Sequence, residues 1–344
     1  MNVLVAMSGG VDSTLAAALL LEEGHRVSGC TLVLVEPLAG AGAPEAAGAA
    51  AAQLGIPHEV RDLRGQFEQL VVRPFADGYL AGRTPNPCAL CNARVKFGAL
   101  LERALAGGAD ALATGHYVRV MPGPGAAPRL LRGADRAKDQ SYFLAGVSRE
   151  AFARVRFPLG DLTKAEVRRL ARERGLAAAE RAESQEICFV PGDDSGAFVA
   201  ARAPAGTVAP GPVLDETGRT IGTHRGLAHY TVGQRRGLGF AAGRPLYVLR
   251  LEPATNALVV GPDAALWGRG LLAAGVNWLV DPPAGAFRAA VRIRSRHEAA
   301  PATVEPAGDG AWRVGFDEPQ RAITPGQVAA FYDGDTVLGA GTIQ

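Results

Sequence analysis

The N-terminal half of the chain alternates between short apolar runs and longer segments with helical periodicity. Residues 3–7 are all apolar, which is typical of a strand buried on both faces of a parallel sheet. An apolar helix follows over 15–21, with Asp12, Ser13 and Thr14 as its start. The same pattern predicts strands over 26–35, 56–60 and 109–113, and helices over 46–54, 67–81, 97–105 and 163–174.

Strands that alternate with helices predict a parallel sheet with right-handed crossovers, and such sheets bind ligands beyond the carboxyl ends of their strands. Asp161 or Thr163 is expected to cap the helix over 163–174. Two prolines within 82–87 argue against regular structure in that segment.

The composition changes near residue 191, where Gly, Pro, Val and Thr replace the helical patterns. Short β-like runs fill 206–251, residues 289–296 alternate as a strand, and the end of the chain is typical of a small β-barrel or sandwich. We therefore predict an α/β N-terminal domain with a parallel sheet over 1–192, a small β-rich connecting domain over 193–265 and a C-terminal β-barrel over 266–344.

Composition indicates a folded globular protein, since 48% of the 344 residues are hydrophobic and 20% are charged. The net charge of +2 is too small to indicate a nucleic-acid partner, so any basic surface must be local. We see no basic leader, and the first apolar helix is too short to span a bilayer. We expect a cytoplasmic protein with no membrane partner, whose four cysteines are reduced thiols.

A glycine loop, Ser8-Gly9-Gly10-Val11-Asp12-Ser13, directly follows the first strand. Strand, glycine loop and helix start form an anion site, because free N–H groups and the helix dipole point at the same place. It is not a Walker A loop, since no Lys follows the glycines. A bare Gly-Gly pair would be an ordinary tight turn, but the whole hexapeptide resembles the pyrophosphate loop of the ATP pyrophosphatases.

Two cysteines invite a chemical interpretation. Cys91 lies just before the predicted helix with Arg94 and Lys96 close by, so its thiol is expected to ionise more readily than a free one. Cys188 lies between apolar residues near the domain boundary. Cys30, within a predicted strand, is expected to be a small buried hydrophobe.

Several motifs, in order over essentially the whole chain, resemble those of the bacterial tRNA-specific 2-thiouridylases, which belong to the ATP pyrophosphatase superfamily. The ordered set is far more specific than any one motif. It comprises the loop at 8–13, Gly-Arg-Thr-Pro-Asn-Pro at 82–87 with Cys91-Asn92, Thr-Gly-His-Tyr at 114–117, Lys-Asp-Gln-Ser-Tyr at 138–142, Phe-Pro-Leu-Gly at 157–160, Ile-Cys-Phe at 187–189, Tyr-Thr-Val-Gly-Gln at 230–234, Pro-Leu-Tyr-Val at 245–248 and Phe-Tyr-Asp-Gly at 331–334.

The resemblance implies an adenine-nucleotide α-hydrolase-like sheet and the family's reaction. ATP, with Mg²⁺, would adenylate the C2 oxygen of the wobble uridine (position 34) of tRNA and release pyrophosphate. Cys188, carrying a persulfide from a cysteine desulfurase or sulfur-relay protein, would deliver sulfur to C2. Cys91 would attack that persulfide and leave a disulfide with Cys188, because one thiol must hold sulfur and another must resolve it. The family also implies tRNAs for Lys, Glu and Gln.

Site residues carried over from the family fall into three groups. ATP would contact Ala6, Met7, Ser8, Gly9, Gly10, Val11, Asp12, Ser13, Leu32 and Gly115, with Leu32 against adenine and Asp12 on Mg²⁺. The target base would contact Asn86, Pro87 and Cys88. The rest of the tRNA would contact His116, Lys138, Asp139, Gln140, Arg294, Ser295 and Gln327.

A row of arginines supports the last group: Arg288, Arg292, Arg294 and Arg296 alternate along the predicted strand and would share one face. Such a row can neutralise tRNA phosphates. The alternative is a solvated β-face. For Lys138 and Asp139 the alternative is a solvated surface pair.

The sequence departs from the family pattern at Cys88, where some members have Asp. This substitution creates Cys88-x-x-Cys91, which together with Cys188 offers three thiolate ligands, so the same thiolation through an iron–sulfur cluster is a rival mechanism. A zinc site would lack a fourth ligand nearby. The segment 36–45 also lacks the expected polar, acidic linker. Two further alternatives are another ATP pyrophosphatase-type synthetase and a tRNA-binding protein that holds ATP only as a structural ligand.

Overall fold

The computed structural model describes residues 1–36, 43–123, 125, 127–181, 187–239 and 245–344. Most of the segment 36–45 therefore lies outside the described residues. The first part of the chain contains seven strands: β1 (Asn2–Ala6), β2 (Arg26–Val33), β3 (His58–Asp62), β4 (Ala111–Ala113), β5 (Val118–Pro122), β6 (Pro128–Arg132) and β7 (Val155–Arg156). Five of them form a parallel sheet in the order β3-β2-β1-β4-β7, which confirms the predicted α/β class.

Among the described residues, the α-helical segments, with their π-helical stretches included, are α1 (Val11–Glu22), α2 (Ala43–Leu54), α3 (64–80), α4 (87–106), α5 (Ser141–Leu144), α6 (Lys164–Glu173) and α7 (Ser195–Ala200). Two of them change their winding midway. α3 contains a π-helical stretch at Glu68–Val72, and α4 contains one at Cys91–Leu100. Among the described residues, no helix is long and apolar enough to cross a membrane.

Four helices begin earlier than predicted. α2 begins at Ala43 and α3 at 64, each three residues before the predicted 46 and 67. α1 begins at Val11 with Gly10 as its N-cap, one residue before Asp12, and the Ser13 and Thr14 hydroxyls bond back to the Gly10 carbonyl. α4 begins at Pro87, ten residues before the predicted 97, because proline is well suited to the first helical position. The expected cap of α6 is confirmed at Thr163, whose side chain forms a reciprocal capping box with Glu166.

The second half of the described chain is β-structure, as predicted. Four strands form a sheet in the order β10-β11-β8-β9: β8 (Gly211–Leu214), β9 (Thr220–His224), β10 (Tyr247–Glu252) and β11 (Ala257–Gly261). Six more close into a barrel through pairing of the first with the last: β12 (Trp267–Trp278), β13 (Phe287–Arg292), β14 (Ala300–Pro306), β15 (Trp312–Arg321), β16 (Val328–Asp333) and β17 (Thr336–Ile343). β13 ends at Arg292, earlier than the predicted 296.

The barrel is attached to the N-terminal part by a shared sheet and a shared core. The β5–β6 hairpin pairs with β17, with Leu131 opposite Thr336. Tyr142 and Tyr332, one from each side, are fully buried in the same apolar cluster. A buried ion pair joins Arg292 of β13 to Asp139, with 3.1 Å between nitrogen and oxygen and only 14% and 3% of the side chains exposed. These contacts hold the barrel loops beside α4.

Replacing Arg292 by Met should lower the free energy of unfolding by roughly 3–5 kcal/mol, because Asp139 would remain buried without its counter-charge. Urea unfolding followed by circular dichroism measures the change. Arg313→Met is the matched control, since Arg313 also pairs with a carboxylate on the barrel but is 62% exposed, so its loss should cost less than about 1 kcal/mol. Equal effects of the two substitutions would contradict the structural role of the buried pair.

Candidate active site

The loop after β1 is closed by its own serines. The Ser8 backbone N–H donates to Ser13 Oγ at 3.2 Å, and Ser13 Oγ donates to the Gly10 carbonyl at 3.2 Å. Gly9 adopts φ +72°, and a Cβ there would lie 2.7 Å from the Ala46 Cβ, so a larger residue does not fit. Gly10 and Val11 then start α1, whose N-terminus faces the loop.

Gly115 lies directly against this loop. It follows β4, which pairs in parallel with β1, so the carboxyl ends of both strands meet at one sheet edge. A Cβ on Gly115 would lie 2.7 Å from the Asp12 carbonyl carbon and 2.8 Å from the Ser13 nitrogen. The structure thus brings Gly115 to the loop, with Ala6 and the buried Met7 leading into it. Leu32 lies half-buried near the end of the neighbouring β2.

Asp12 has two partners that the sequence did not indicate. The Tyr117 hydroxyl donates to Asp12 Oδ1 at 2.7 Å, and Lys164 Nζ lies 2.7 and 2.8 Å from the two carboxylate oxygens. Arg181 adds a second cation to the loop by donating to the Gly9 carbonyl at 3.1 Å. Tyr117 belongs to a motif noted above, but Lys164 and Arg181 lie far along the chain.

Cys91 lies at the first residue of the π-helical stretch of α4, and only 8% of it is exposed. In π-helical winding, residues five apart are joined by hydrogen bonds, so Lys96 lies one turn above Cys91. Burial raises the pKa of the Cys91 thiol, whereas the nearby Lys96 lowers it by a smaller amount. Arg94 instead donates to the Leu70 carbonyl at 3.4 Å. The prediction of an easily ionised Cys91 is therefore wrong, because desolvation outweighs the one cation that acts on it.

Cys188 is held beside Cys91 by the aromatic residue that follows it. The Phe189 ring packs at centroid distances of 5.5 Å from Phe67 and 5.3 Å from Phe75, both in α3. Cys91 belongs to the same apolar cluster as Phe189. The pKa of Cys188 is raised to about 11, chiefly by burial and to a smaller extent by the charges that Cys91 and Cys88 would carry. Although Cys188 has exposed surface, enough protein surrounds its side chain to disfavour the thiolate.

A cavity of about 380 Å³ opens beside Cys188, so its thiol can be reached from solvent. The walls combine an apolar surface with charged side chains and are formed by Leu34, Val35, Glu36, Arg64, Glu68, Val72, Phe189, Pro191, Phe198 and Arg202. A larger cavity, of about 510 Å³, lies at the opposite edge of the sheet, around Asn2, Arg26 and His58. This cavity is distant from the glycine loop, because Asn2, Arg26 and His58 are the first residues of their strands whereas the loop follows the last residue of β1.

The three residues expected to meet the target base have different exposures. Asn86 is half-buried and caps α4, its Oδ1 accepting from the Ala89 N–H at 3.1 Å. Pro87 is buried, and Cys88 is exposed beside Cys91. The Tyr142 hydroxyl bonds the Val328 carbonyl at 3.0 Å and also interacts with the Asn86 side chain. This segment therefore lies where α4 meets the barrel.

Two residues expected to contact tRNA, His116 and Asp139, are buried in this structure. His116 bonds Thr114 Oγ1 at 2.6 Å between the rings of Phe97 and Phe157, and burial lowers its pKa well below the usual range. Asp139 is occupied by Arg292 and by the N–H groups of Gly133 and Ser141. Of their neighbours, Gln140 accepts from the Tyr117 N–H at 2.9 Å, and Lys138 is half-buried.

The barrel residues of the predicted tRNA surface lie near the start of α4. Gln327 Nε2 donates to the Thr84 carbonyl at 2.6 Å, and Arg294 donates to the Arg321 carbonyl at 2.9 Å. Ser295 is half-buried, and its carbonyl accepts from Arg292. Of the predicted row of arginines, Arg288 and Arg292 lie on β13 and pair with Asp317 and Asp139, whereas Arg294 and Arg296 lie beyond the end of that strand.

The groups of the candidate site that could bind a metal are the Asp12 carboxylate and three cysteine thiols. Within the described ranges, no group of three or more His, Cys, Asp and Glu side chains could hold a metal ion, so Cys88, Cys91 and Cys188 do not form a ready three-thiolate site. Mg²⁺ commonly takes one or two carboxylates together with substrate phosphates, and Asp12 beside a glycine loop is such a donor.

Alkylation of Cys188 by iodoacetamide should become about tenfold faster per pH unit between pH 7 and 9, because the thiolate reacts and the pKa is about 11. Lys96→Met should slow it at a given pH, since Lys96 lowers that pKa. Arg94→Met is the control and should have no effect, because Arg94 bonds to Leu70. Mass spectrometry of the modified peptide gives the rates, and a rate that already levels off near pH 7 would contradict the raised pKa.

Three family descriptions match the chain in order. Residues 1–192 match the tRNA methyl transferase HUP domain. Residues 198–262 match the tRNA methyl transferase PRC-barrel domain, and residues 268–343 match the aminomethyltransferase beta-barrel domain. These ranges cover the parallel sheet, the four-stranded sheet and the closed barrel, respectively.

Full-length relatives share close to half of their residues with this chain. The tRNA-specific 2-thiouridylase MnmA of Trichlorobacter lovleyi is 48% identical over 100% of this chain and 97% of its own length. Those of Desulforudis audaxviator and Chloroflexus aurantiacus are 49% and 48% identical, each over 99% of this chain and 98% of their own length. Identity at this level and coverage shows that the chain belongs to the tRNA-specific 2-thiouridylase MnmA family.

Proposed function

We propose that this protein is a tRNA-uridine 2-sulfurtransferase, which transfers sulfur to C2 of the wobble uridine at the expense of ATP. The observation that carries the proposal is the position of Cys188 beside Cys91, at the margin of the apolar cluster that holds Cys91 and Phe189 and next to the nucleotide-type sheet edge. Leu32, near the carboxyl end of β2, packs against that same cluster. Membership of the MnmA family supports the substrate class and the reaction.

ATP would be held at the loop of residues 8–13 and activated there. The loop N–H groups and the start of α1 would bind the triphosphate, Gly115 would let it approach, and Leu32 would pack against adenine. Asp12 would hold Mg²⁺, which neutralises phosphate charge when it is bound. The uridine C2 oxygen would attack the α-phosphate and displace pyrophosphate, so that the adenylated oxygen becomes a leaving group.

Sulfur would enter at Cys188. The cavity beside Cys188 would let a cysteine desulfurase or a sulfur-relay protein reach its thiol. The Cys91 thiolate would attack the Cys188 sulfur of the persulfide, forming the Cys91–Cys188 disulfide and releasing hydrosulfide. Hydrosulfide would then add to C2 and expel AMP, and an external dithiol would reduce the disulfide. Because both resting thiols have raised pKa values, Lys96 is the group that would favour the Cys91 thiolate.

The tRNA would lie across the junction of α4 with the barrel. We assign the flipped base to Asn86, Pro87 and Cys88, which lie at the start of α4 close to Cys91, since an unstacked base must reach the reacting sulfur. Other contacts are assigned to Lys138, Gln140, Arg294, Ser295 and Gln327, while the buried His116 and Asp139 would position the segments that carry them. We further propose the domain limits 1–192, 193–265 and 266–344, a cytoplasmic location, and tRNAs for Lys, Glu and Gln as substrates.

The proposed function is tested by anaerobic thiolation of tRNA with ATP and a persulfide donor. Wild-type protein should form 2-thiouridine and AMP, and Cys188→Ser and Cys91→Ser should each abolish 2-thiouridine, since each removes a sulfur required for transfer. Cys30→Ala, a change within the buried β2 strand, is the matched cysteine control and should remain active. Full activity of Cys188→Ser would overturn the persulfide role, and ATP-dependent tRNA binding without AMP would overturn catalysis.

Cys88→Ser separates the persulfide mechanism from its iron–sulfur rival. If Cys88 only lines the base site, the variant should keep most of its activity, and both proteins should be colourless and free of iron. Iron content and the absorption spectrum are measured on the same anaerobic samples as the activity. A brown wild-type protein whose iron and activity both disappear in Cys88→Ser would assign Cys88 as a cluster ligand.

A further inference from the structure

The Asp12 carboxylate, which the proposed function assigns to Mg²⁺, is already neutralised by a cation of the protein. Lys164 Nζ lies within hydrogen-bond distance of both carboxylate oxygens, at 2.7 and 2.8 Å. The Lys164 side chain is only 11% exposed, whereas that of Asp12 is 32% exposed. The Tyr117 hydroxyl also donates to Oδ1. A metal ion arriving at Asp12 therefore meets an occupied carboxylate.

Helix stability does not explain the position of Lys164. It is the first residue of α6, and a positive charge at a helix N-terminus opposes the helix dipole. The Thr163–Glu166 capping box already satisfies this helix start without the lysine. At this position the side chain gains the contact across to Asp12, and its ammonium group also lies over the Tyr117 ring. It adds a cation to a region where the start of α1 also favours negative charge.

We propose that Lys164 is an internal counter-ion that keeps Mg²⁺ off Asp12 until the triphosphate arrives. This inference rests on the proposed function, because it takes the glycine loop as the site of ATP. Phosphate oxygens offer Lys164 a second set of acceptors, so that its ammonium group can leave Asp12 as Mg²⁺ binds there. Metal and nucleotide then bind cooperatively, and each raises the affinity for the other by the same factor.

The exchange also has a consequence for release. When pyrophosphate departs, Lys164 loses its phosphate acceptors and returns to Asp12, which weakens the hold on the metal. Mg²⁺ and pyrophosphate would then leave together, and the nucleotide-free enzyme would not retain a bound ion. Lys164 thus acts as a binding residue for ATP and as a positioning residue for Asp12.

The test is a titration with Mn²⁺ as the metal probe, followed by electron paramagnetic resonance, with and without a non-hydrolysable ATP analogue. In wild-type protein the analogue should tighten Mn²⁺ binding by about tenfold or more, a common size for such coupling. Lys164→Gln should bind Mn²⁺ about tenfold more tightly without nucleotide and should lose most of the coupling. The double variant Lys164→Gln/Asp12→Asn should lose the Mn²⁺ affinity that Lys164→Gln gained. This loss would show that the additional Mn²⁺ binds at the Asp12 carboxylate.

Arg169→Gln is the matched control, since it removes a positive charge from the same helix where Arg169 pairs with Glu173 on the surface. It should behave as wild type. Lys164→Arg keeps a cation and should keep the weak nucleotide-free binding of Mn²⁺. An unchanged Mn²⁺ affinity in Lys164→Gln would overturn the proposal. The wild-type protein gives a second test that does not depend on the folding of the variant: the proposal is also overturned if the wild-type Mn²⁺ affinity is the same with and without the analogue. These titrations need no tRNA. A failure of the thiolation assay can therefore be told apart from a failure of the Lys164 proposal.

Discussion

The packing of Phe189 against α3 is the contact on which the placement of Cys188 beside Cys91 depends. It fixes the residue after Cys188 in the apolar cluster that also buries Cys91, and so brings two distant parts of the chain together. The same packing reduces the contact of both sulfurs with water and raises their pKa values. The same burial thus brings the Cys91 and Cys188 thiols close together and makes them weak acids. A nearby charge is then needed to favour either thiolate.

The nucleotide side of the site depends on a different constraint, the absence of a side chain at Gly115. The β1–β4 pairing brings Gly115 so close to the Asp12 backbone that a methyl group would collide with it. The two halves of the site are therefore held in place differently. Aromatic packing positions the cysteines, and close approach of backbone segments positions the glycine loop. The strand β2 lies between them and carries Leu32.

Local patterns predicted much of this molecule because strands, helix caps and glycine loops are encoded by neighbours in the sequence. The run before Ser8, the cap at Thr163 and the change to β-structure near 191 are of that kind. The acidity of Cys91 was mispredicted because burial by α3 and by the segment after Cys188 is a tertiary effect. The contact between Lys164 and Asp12 could not be predicted, because no local sequence pattern links two residues so far apart in the chain.

The winding of α4 makes the spacing between Cys91 and Lys96 a functional quantity in itself. In an ordinary α-helix, residues five apart are separated by about 140° around the axis, and the ammonium group would point away from the sulfur. The wide turn at Cys91–Leu100 brings them onto one side. Rewinding this stretch as an ordinary α-helix of the same length would keep the sequence unchanged while turning the Lys96 ammonium group away from the Cys91 sulfur.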